Sequence, residues 1–270
     1  TFLTEKLKSD SKKLDNYQKL AAITFTRNAT EEIKQKLVDI PDNVVVSTID
    51  SFLDKEIILP FINQKYEIQT SVQFSFRIEH KFSHYSIGIR QILQDGIFGT
   101  YDFPTSQQGK NFKCEVALDI LKTIDSASEY IKYKFNTLYI DEFQDCDQSM
   151  NDLFLYLKNE LGIYLFIVGD DKQSIYQWRG ASPKYINNLW KNKNDFRKER
   201  FIGNFRSLPR IVDFSLALTP EVTVDNIREE GSILYLEPNQ DYLKEDVIKY
   251  LIDNGDINLQ EENYFLIGNN

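Results

Sequence analysis

The sequence predicts an α/β protein built on a parallel, doubly wound sheet. Short apolar runs typical of buried strands alternate along the chain with segments whose apolar residues follow a helical spacing. Parallel strands need long crossover connections, and helices between successive strands supply them. Hydrophobic residues make up 41% and charged residues 27% of the 270 residues, which is ordinary for a folded globular protein.

The predicted elements follow one another in a regular order. Strands are predicted at residues 21–26, 43–47, 136–140, 164–168, 197–202, 231–236 and 264–267. Helices are predicted at residues 28–38, 49–62, 148–161, 207–218 and 242–252. The first of these helices opens on Asn28-Ala29-Thr30-Glu31, which resembles a capping box, and Pro209 is tolerated in the first turn of the fourth.

Residues 65–109 interrupt this alternation. The stretch holds both histidines, several aromatic residues and the turn-rich segment Asp102-Phe103-Pro104-Thr105-Ser106. We therefore interpret it as a small subdomain inserted into the α/β domain.

Composition restricts the class of function. The net charge of −9 argues against broad electrostatic coating of duplex nucleic acid, although it allows a narrow strand-binding groove that relies on stacking. No apolar run approaches the length of a membrane span. Cys114 and Cys146 lack metal-ligand spacing, so we expect reduced thiols in a cytoplasmic protein without a membrane partner.

Polar side chains collect at the carboxyl ends of the predicted strands. They are Thr24, Thr26, Ser47, Thr48, Asp141, Glu142, Asp170 and Asn204. In open α/β sheets this edge is where ligands bind. The sequence therefore predicts a ligand site there.

The segment Asp141-Glu142-Phe143-Gln144-Asp145 is the first of two that carry chemistry. Asp141, Glu142, Asp145 and Asp147 repel one another unless a cation offsets them, and Mg²⁺ bound to substrate phosphates would do so. Glu142 is suited to orient or deprotonate an attacking water. The alternative is an acidic helix N-terminus that the helix dipole stabilises.

The second segment, residues 169–181, combines an amide, two aromatic rings and an arginine in one loop. Gln173 is suited to sense a terminal phosphate or a water. Tyr176 and Trp178 offer faces for base stacking, worth roughly 1–3 kcal/mol per base, and Arg179 is suited to a phosphate or a carboxylate. The alternative is that both aromatic rings belong to the core.

Residues 204–207 form a third candidate segment, between a predicted strand and a predicted helix. Arg206 is suited to act as an arginine finger on a γ-phosphate, and Phe205 to stack on a base. The alternative is a solvated arginine beside the capping Ser207.

Together these segments resemble the superfamily 1A DNA helicases of the UvrD, PcrA and Rep type. Residues 23–29 resemble motif Ia, 46–52 motif Ib, 141–145 motif II or Walker B, 169–181 motif III and 204–207 motif IV. Residues 56–62 and 111–113, with the short insertion, also resemble the helicase-like subunit of the Gabija antiphage defence system.

The resemblance implies a domain organisation. Residues 1–64 and 110–205 would form the first RecA-like, P-loop NTPase domain, named 1A. Residues 65–109 would form a 1B-like insertion, and residues 206–270 the start of the second RecA-like domain, named 2A.

The resemblance also implies ATP and Mg²⁺ as cofactors and a role for each site residue. Asp141 would hold Mg²⁺, Glu142 would activate water, and Gln173 would couple the γ-phosphate to the strand site. Arg206 would contact the γ-phosphate, and Phe205 would stack on adenine. The residues implied at single-stranded DNA are Phe25, Thr26, Thr48, Ser51, Tyr176, Trp178 and Arg179.

The sequence departs from the family pattern in several places. Arg27-Asn28 stands where the family has Asn-Lys, Asp50 where it has His, and Phe205 where it has Tyr. The departures at residues 27–28 and 50 weaken the inferred contacts with the DNA strand. Phe205 can still stack on a base but lacks the hydroxyl of tyrosine. A glycine-rich loop with Lys-Thr and motifs V and VI are absent, so we expect an internal part of a longer helicase, with Gly-x-Gly-Lys-Thr before Thr1.

The resemblance implies an ATP-dependent DNA helicase or translocase on single-stranded DNA, or on duplex with a single-stranded end, moving 3′ to 5′. The chain by itself is expected to be inactive. Two alternatives stay open. One is a helicase-like subunit that senses nucleotide or DNA and regulates a partner nuclease in antiphage defence. The other is the motor part of a RecB- or AddA-type helicase–nuclease.

Overall fold

A computed structural model describes most of the N-terminal three quarters of the chain. The described residues are 2–15, 17–66, 73–81, 88, 97–102, 111–192, 195–201, 203–204, 207–217 and 225–226. The chain divides into two compact units, Thr1–Lys198 and Glu199–Asn270. None of the helices in the described ranges is long and apolar enough to span a membrane.

The described elements alternate between strands and helices. The strands are β1 (Lys19–Thr24), β2 (Val44–Thr48), β3 (Gln73–Lys81), β4 (Ile97–Asp102), β5 (Phe135–Ile140), β6 (Tyr164–Ile167), β7 (Gly203–Asn204) and β8 (Asp225–Asn226). The helices are α1 (Phe2–Ser11), α2 (Arg27–Leu37), α3 (Ile49–Phe52), α4 (Leu59–Tyr66), α5 (Phe112–Thr123), α6 (Asp125–Lys134), α7 (Gln148–Asn159), α8 (Lys184–Lys191) and α9 (Pro209–Ala217).

The main sheet has four strands in the order β2-β1-β5-β6, and every pair is parallel. This arrangement confirms the predicted α/β class with a parallel sheet of the RecA-like kind. The pair β3 and β4 forms a separate sheet within the stretch predicted as an insertion, and β7 pairs with β8 in the second unit. The domain boundaries proposed from the sequence stay predictions.

Helices cover both faces of the main sheet. Leu20 and Ala22 of β1 pack with α1 and α2 on one face, whereas Ala21 and Ile23 join the larger core on the other. Because β1 is buried on both sides, it reads as a continuous apolar run rather than an alternating one. On the α1 side, the hydroxyl of Tyr139 donates a hydrogen bond of 2.6 Å to Asp10, which fastens α1 to β5.

Side chains of the strand ends begin the helices that follow. Thr26 caps α2 by accepting from the backbone N–H of Ala29 at 3.2 Å, so the predicted capping box at Asn28 was wrong by two residues. Thr48 caps α3 in the same way by accepting from Ser51. Each crossover therefore starts directly at the edge of the sheet, with almost no intervening loop.

Helices α3 and α4 are continuous with each other through a π-helical segment, Leu53–Ile58. Asp54 in this segment pairs with Lys113 at the start of α5, with 2.7 Å between Oδ2 and Nζ and both side chains buried. Burial raises the pKa of Asp54, and the adjacent ammonium opposes that effect. The pair ties the helix after β2 to α5, the first of the two helices that precede β5.

Several predictions about elements were wrong. Helices α5, α6 and α8 were not predicted, although they supply much of the larger core. The strand predicted at residues 197–202 is not found at residues 197–201, where the polar sequence Arg-Lys-Glu-Arg offers few side chains to bury. The elements predicted at residues 231–236, 242–252 and 264–267 lie outside the described residues.

The buried ion pair generates a first prediction. Replacing Lys113 by Met should lower the free energy of unfolding by ~3–5 kcal/mol, because Asp54 would be left buried without its counter-charge. Urea unfolding of the purified protein measures this loss. The control is Lys34→Met, which removes an exposed pair with Glu31 and should cost at most about 1 kcal/mol.

Adding Asp54→Leu to Lys113→Met should restore most of the lost stability, since no buried charge would remain. Equal losses in Lys113→Met and Lys34→Met would contradict a special cost at the buried pair.

Candidate functional site

The parallel register brings the polar strand ends to one edge of the main sheet. Ile23 of β1 lies opposite Ser47 of β2 and Ile140 of β5, and Ile140 lies opposite Ile167 of β6. The residues that follow these positions are therefore neighbours at the carboxyl edge. They include Thr24, Thr26, Thr48, Asp141, Glu142 and Asp170.

The turn after β5 holds the acidic residues in an unusual backbone conformation. Glu142 has a left-handed backbone, with φ 57° and ψ 43°, which is uncommon for a residue other than glycine. Its carboxylate accepts a hydrogen bond of 2.6 Å from the side-chain amide of Gln144. Strain of this kind, about 1–3 kcal/mol, persists where surrounding contacts define the turn.

Those contacts come from the loop that follows β6. The backbone N–H of Phe143 donates to the carbonyl of Val168 at 2.9 Å, and the N–H of Asp170 donates to Gln144 Oε1 at 3.0 Å. Gly169 lies so close that an added Cβ would stand 2.7 Å from Gln144 Oε1. A side chain at position 169 would therefore have to displace the side chains of Gln144 and Ile186, which glycine avoids.

Asp170 organises the beginning of the same loop. Its Oδ1 accepts from the backbone N–H of Lys172 at 3.0 Å, and its Oδ2 accepts from the amide of Gln173 at 2.8 Å. Gln173 itself is exposed. The amide predicted to sense phosphate or water thus faces solvent from a defined position.

Burial and mutual repulsion shape the electrostatics of the acidic turn. Burial raises the pKa of Asp141, and the neighbouring charge of Glu142 adds to the effect. The same two causes, in the same order, raise the pKa of Asp145 to about 6. Burial also raises the pKa of Asp147 to about 7, although two backbone N–H groups oppose it.

These carboxylates fit a divalent cation. Among the described residues no group of three or more side chains could hold a metal ion on its own. Mg²⁺ needs no such cage, since one or two carboxylates and the substrate's phosphates usually suffice. Asp141, with its raised pKa, would be stabilised in its charged form by a cation.

The aromatic part of the loop is exposed. Trp178 exposes 71% of its surface, and Tyr176 is half-buried. The guanidinium of Arg179 lies 5.0 Å from the ring centre of Trp178 and 5.5 Å from that of Tyr176. Trp178 is therefore no core residue, and the guanidinium of Arg179 lies within cation–π distance of both rings. We call these three side chains the aromatic platform.

The residues predicted from the first two strand ends have structural roles as well. Phe25 is half-buried and packs against the larger core. Thr26 is exposed and caps α2, and the hydroxyl of Thr48 donates to that of Ser51 at 3.1 Å. The structure thus brings these residues to the predicted edge, with their hydroxyls already engaged in local bonds.

Phe205 and Arg206 lie outside the described residues. The sequence analysis assigned no role to two further residues of this site, Gln144 and Gly169. Their importance comes from contacts between segments 26 residues apart, which only the fold brings together.

The fold and this edge define a class of protein, the RecA-like α/β domains with an acidic turn after one strand and a polar loop after the next. The family model of the UvrD/REP helicase N-terminal domain matches residues 110–194. This match contains the acidic turn and the aromatic loop. The predicted resemblance to UvrD- and Rep-type helicases is therefore confirmed.

Particular relatives extend the match. The chain is 39% identical over 234 residues to the Gabija protein GajB of Bacillus cereus strain VD045, covering 86% of this chain and 46% of that protein. It is 28% identical to an ATP-dependent helicase/nuclease subunit of Clostridium kluyveri, over 69% of this chain and 14% of that one. It is 26% identical to the ATP-dependent DNA helicase Rep of Buchnera aphidicola, over 72% of this chain and 36% of that protein. The chain spans less than half the length of each relative.

The raised pKa of Asp147 generates a prediction about stability and pH. In the folded protein Asp147 keeps its proton up to about pH 7, whereas an ordinary aspartate loses it near 3.8. The folded state therefore binds more protons between these values, and stability should fall as the pH rises through this window. Each tenfold difference in proton affinity between the folded and unfolded states corresponds to roughly 1.4 kcal/mol.

Asp147→Asn should remove this dependence and keep the cap on Met150, because asparagine is also a good N-cap. Urea unfolding midpoints should be measured from pH 5 to pH 8. The midpoint of the variant should rise relative to that of the natural protein as the pH rises. The control is Asp125→Asn, which changes an exposed aspartate at the start of α6. Its unfolding midpoint should depend on pH in the same way as that of the natural protein. A parallel curve for Asp147→Asn would contradict the prediction.

Proposed function

We propose that the natural protein containing this chain is an ATP-dependent motor that moves along single-stranded DNA. One observation carries the proposal. The acidic turn after β5 and the aromatic loop after β6 are joined by hydrogen bonds, so a site for nucleotide chemistry and a platform for bases share one support. A motor needs this arrangement because hydrolysis of ATP has to change its affinity for the DNA strand.

On the nucleotide side, Asp141 and Glu142 divide the work. Asp141 would hold Mg²⁺, which when bound offsets the negative charge of the ATP phosphates. Glu142 would orient and deprotonate the attacking water, from a carboxylate that the amide of Gln144 restrains. Gln173 would sense the terminal phosphate from its bond to Asp170. The proposed roles of Phe205 and Arg206 at the adenine and the γ-phosphate rest on the sequence.

On the strand side, Trp178 and Tyr176 would stack on bases, and Arg179 would add a cation beside them. Stacking suits a chain of net charge −9, since broad attraction of phosphates is weak. Phe25, Thr26, Thr48 and Ser51 would contact the strand along the same sheet edge. The proposed substrate is single-stranded DNA or duplex with a single-stranded end, and the proposed direction is 3′ to 5′.

The relatives support two further candidates. A helicase-like subunit that senses nucleotide or DNA and regulates a partner nuclease fits the similarity to the Gabija protein GajB. The motor part of a helicase–nuclease fits the similarity to the clostridial helicase/nuclease protein. Strand displacement by the full-length protein alone favours the motor. ATP-dependent control of a co-purified nuclease without displacement favours the sensor.

The hydrolytic role of Glu142 is tested by Glu142→Gln in the full-length protein. Turnover of ATP should fall by about a hundredfold or more, because the amide keeps the shape of the side chain and loses the base. Binding of ATP with Mg²⁺ should be retained. Steady-state turnover and a titration with labelled ATP measure the two quantities.

Glu129→Gln serves as the control, since Glu129 is exposed on α6 and should tolerate the change. Natural turnover in Glu142→Gln would show that Glu142 is structural.

The stacking role of Trp178 is tested by Trp178→Ala. Binding of single-stranded DNA should weaken by roughly 1–3 kcal/mol, with little preference for sequence, because any base offers a face to the indole. Affinity for ATP without DNA should change little. Titrations of a labelled oligonucleotide at several salt concentrations should give a shallow salt slope, as expected when few phosphates are contacted.

The matched control is Trp190→Ala, which removes the other tryptophan, an exposed residue of α8. Equal losses of DNA affinity in both variants would contradict a specific platform at Trp178.

A further inference from the structure

The side-chain amide of Gln144 is buried at the centre of the acidic turn, with 2% of the residue exposed, and both of its ends are engaged. We propose that Gln144 is a positioning residue that sets the carboxylate of Glu142 and transmits to it the position of the loop after β6. The inference rests on the proposed ATP hydrolysis by Glu142 and adds to it a residue that does not touch the nucleotide.

The hydrogen bonds run in one continuous path. The Nε2 of Gln144 donates to Glu142 Oε2 at 2.6 Å, and Gln144 Oε1 accepts from the backbone N–H of Asp170 at 3.0 Å. The side chain of Asp170 accepts from Gln173 at 2.8 Å. The hydroxyl of Ser174 returns to the backbone carbonyl of Gln144 at 3.3 Å. A shift of residues 170–174 therefore acts directly on the amide that holds Glu142.

The chemistry of this path suits an amide. A carboxylate only accepts hydrogen bonds and a backbone N–H only donates one, so the residue between them must donate at one end and accept at the other. These two partners also define which end of the Gln144 side chain is nitrogen. An ionised glutamate would keep the acceptor and lose the donor, and a methionine of similar length would lose both.

The surroundings keep the amide in place. Gly169 leaves room for Gln144 Oε1, which an added Cβ would approach to 2.7 Å. The far end of the loop is also fastened to the acidic turn, because the N–H of Ser182 donates to the carbonyl of Cys146 at 3.1 Å. Tyr176 and Trp178 lie between these two anchors. Occupation of the aromatic platform would thus move a segment whose near end bonds to Gln144.

The test uses Gln144→Glu and Gln144→Met in the full-length protein, with steady-state ATP turnover measured with and without a single-stranded oligonucleotide. In both variants kcat with DNA should fall by at least about tenfold, because a misplaced base is costly, while KM for ATP should stay within about twofold. Stimulation of turnover by DNA should fall as well.

The control is Gln148→Glu, which places the same charge at an exposed position at the start of α7. Thermal unfolding checks the fold of each variant. If Gln144→Met does not fold, the result for Gln144→Glu tests the proposal. This variant keeps the shape of the side chain and the oxygen that accepts from the N–H of Asp170. Natural kcat and natural DNA stimulation in folded Gln144→Glu would overturn the proposal.

A double-mutant cycle separates positioning from a general structural role. In a Glu142→Gln background, Gln144→Glu should lower single-turnover hydrolysis by less than about twofold, since its effect passes through the missing carboxylate. If Gln144→Glu lowers hydrolysis in the Glu142→Gln background as much as it does in the natural protein, the proposal is overturned. Natural turnover in Glu142→Gln alone would refute the hydrolytic role of Glu142 on which this inference rests. A slow Glu142→Gln with normal Gln144 variants would refute only the positioning role.

Discussion

The parallel pairing of β5 between β1 and β6 is the constraint on which the site depends. The N–H of Asp141 donates to the carbonyl of Ile23 at 3.2 Å, and the N–H of Val168 donates to the carbonyl of Ile140 at 2.9 Å. The ladder thus continues to the last residues of all three strands. Because the strands are parallel and in register, their ends lie at one edge, and the polar residues after them meet there. A register slip of one residue would exchange the side chains of β5 between the two helix-covered faces of the sheet and would displace the acidic turn along the edge.

The acidic turn places several carboxylates together at a cost that neighbouring groups only partly offset. Burial and the charge of Glu142 raise the pKa values of Asp141 and Asp145, and Asp145 Oδ1 is one of two buried side-chain oxygens without a hydrogen-bond partner in the described part of the chain. The left-handed backbone of Glu142 adds strain. Local stability would favour fewer charges and a relaxed turn. Groups that disfavour the resting state in this way are typical of functional sites, where a substrate or cation supplies the missing interaction.

The sequence was sufficient for the main sheet and for the edge at which the site lies, because strands buried on both faces read as apolar runs and end in polar residues. It was insufficient where a partner is distant along the chain. Helix α5 carries a buried Lys113 in its first turn, and its partner Asp54 is 59 residues away. Both Thr26 and Asn28 are good caps, and the bond of 2.7 Å between the hydroxyls of Thr24 and Thr30 accompanies the choice of Thr26. Gln144 was overlooked for the same reason, since its second partner is supplied by the loop after β6.

The proposed surface for nucleic acid on this acidic chain consists of one arginine and two aromatic rings. Arg179 is stacked beside Trp178 and Tyr176, so its charge stays near the exposed ring faces. The loop that carries them is fastened at its two ends to the turn of Glu142, through Asp170 and Ser182. Under the proposed function, a base on the rings and a nucleotide at the carboxylates would therefore act on one hydrogen-bonded unit. Coupling between these two proposed sites would need no long-range rearrangement, because both would bias the same turn.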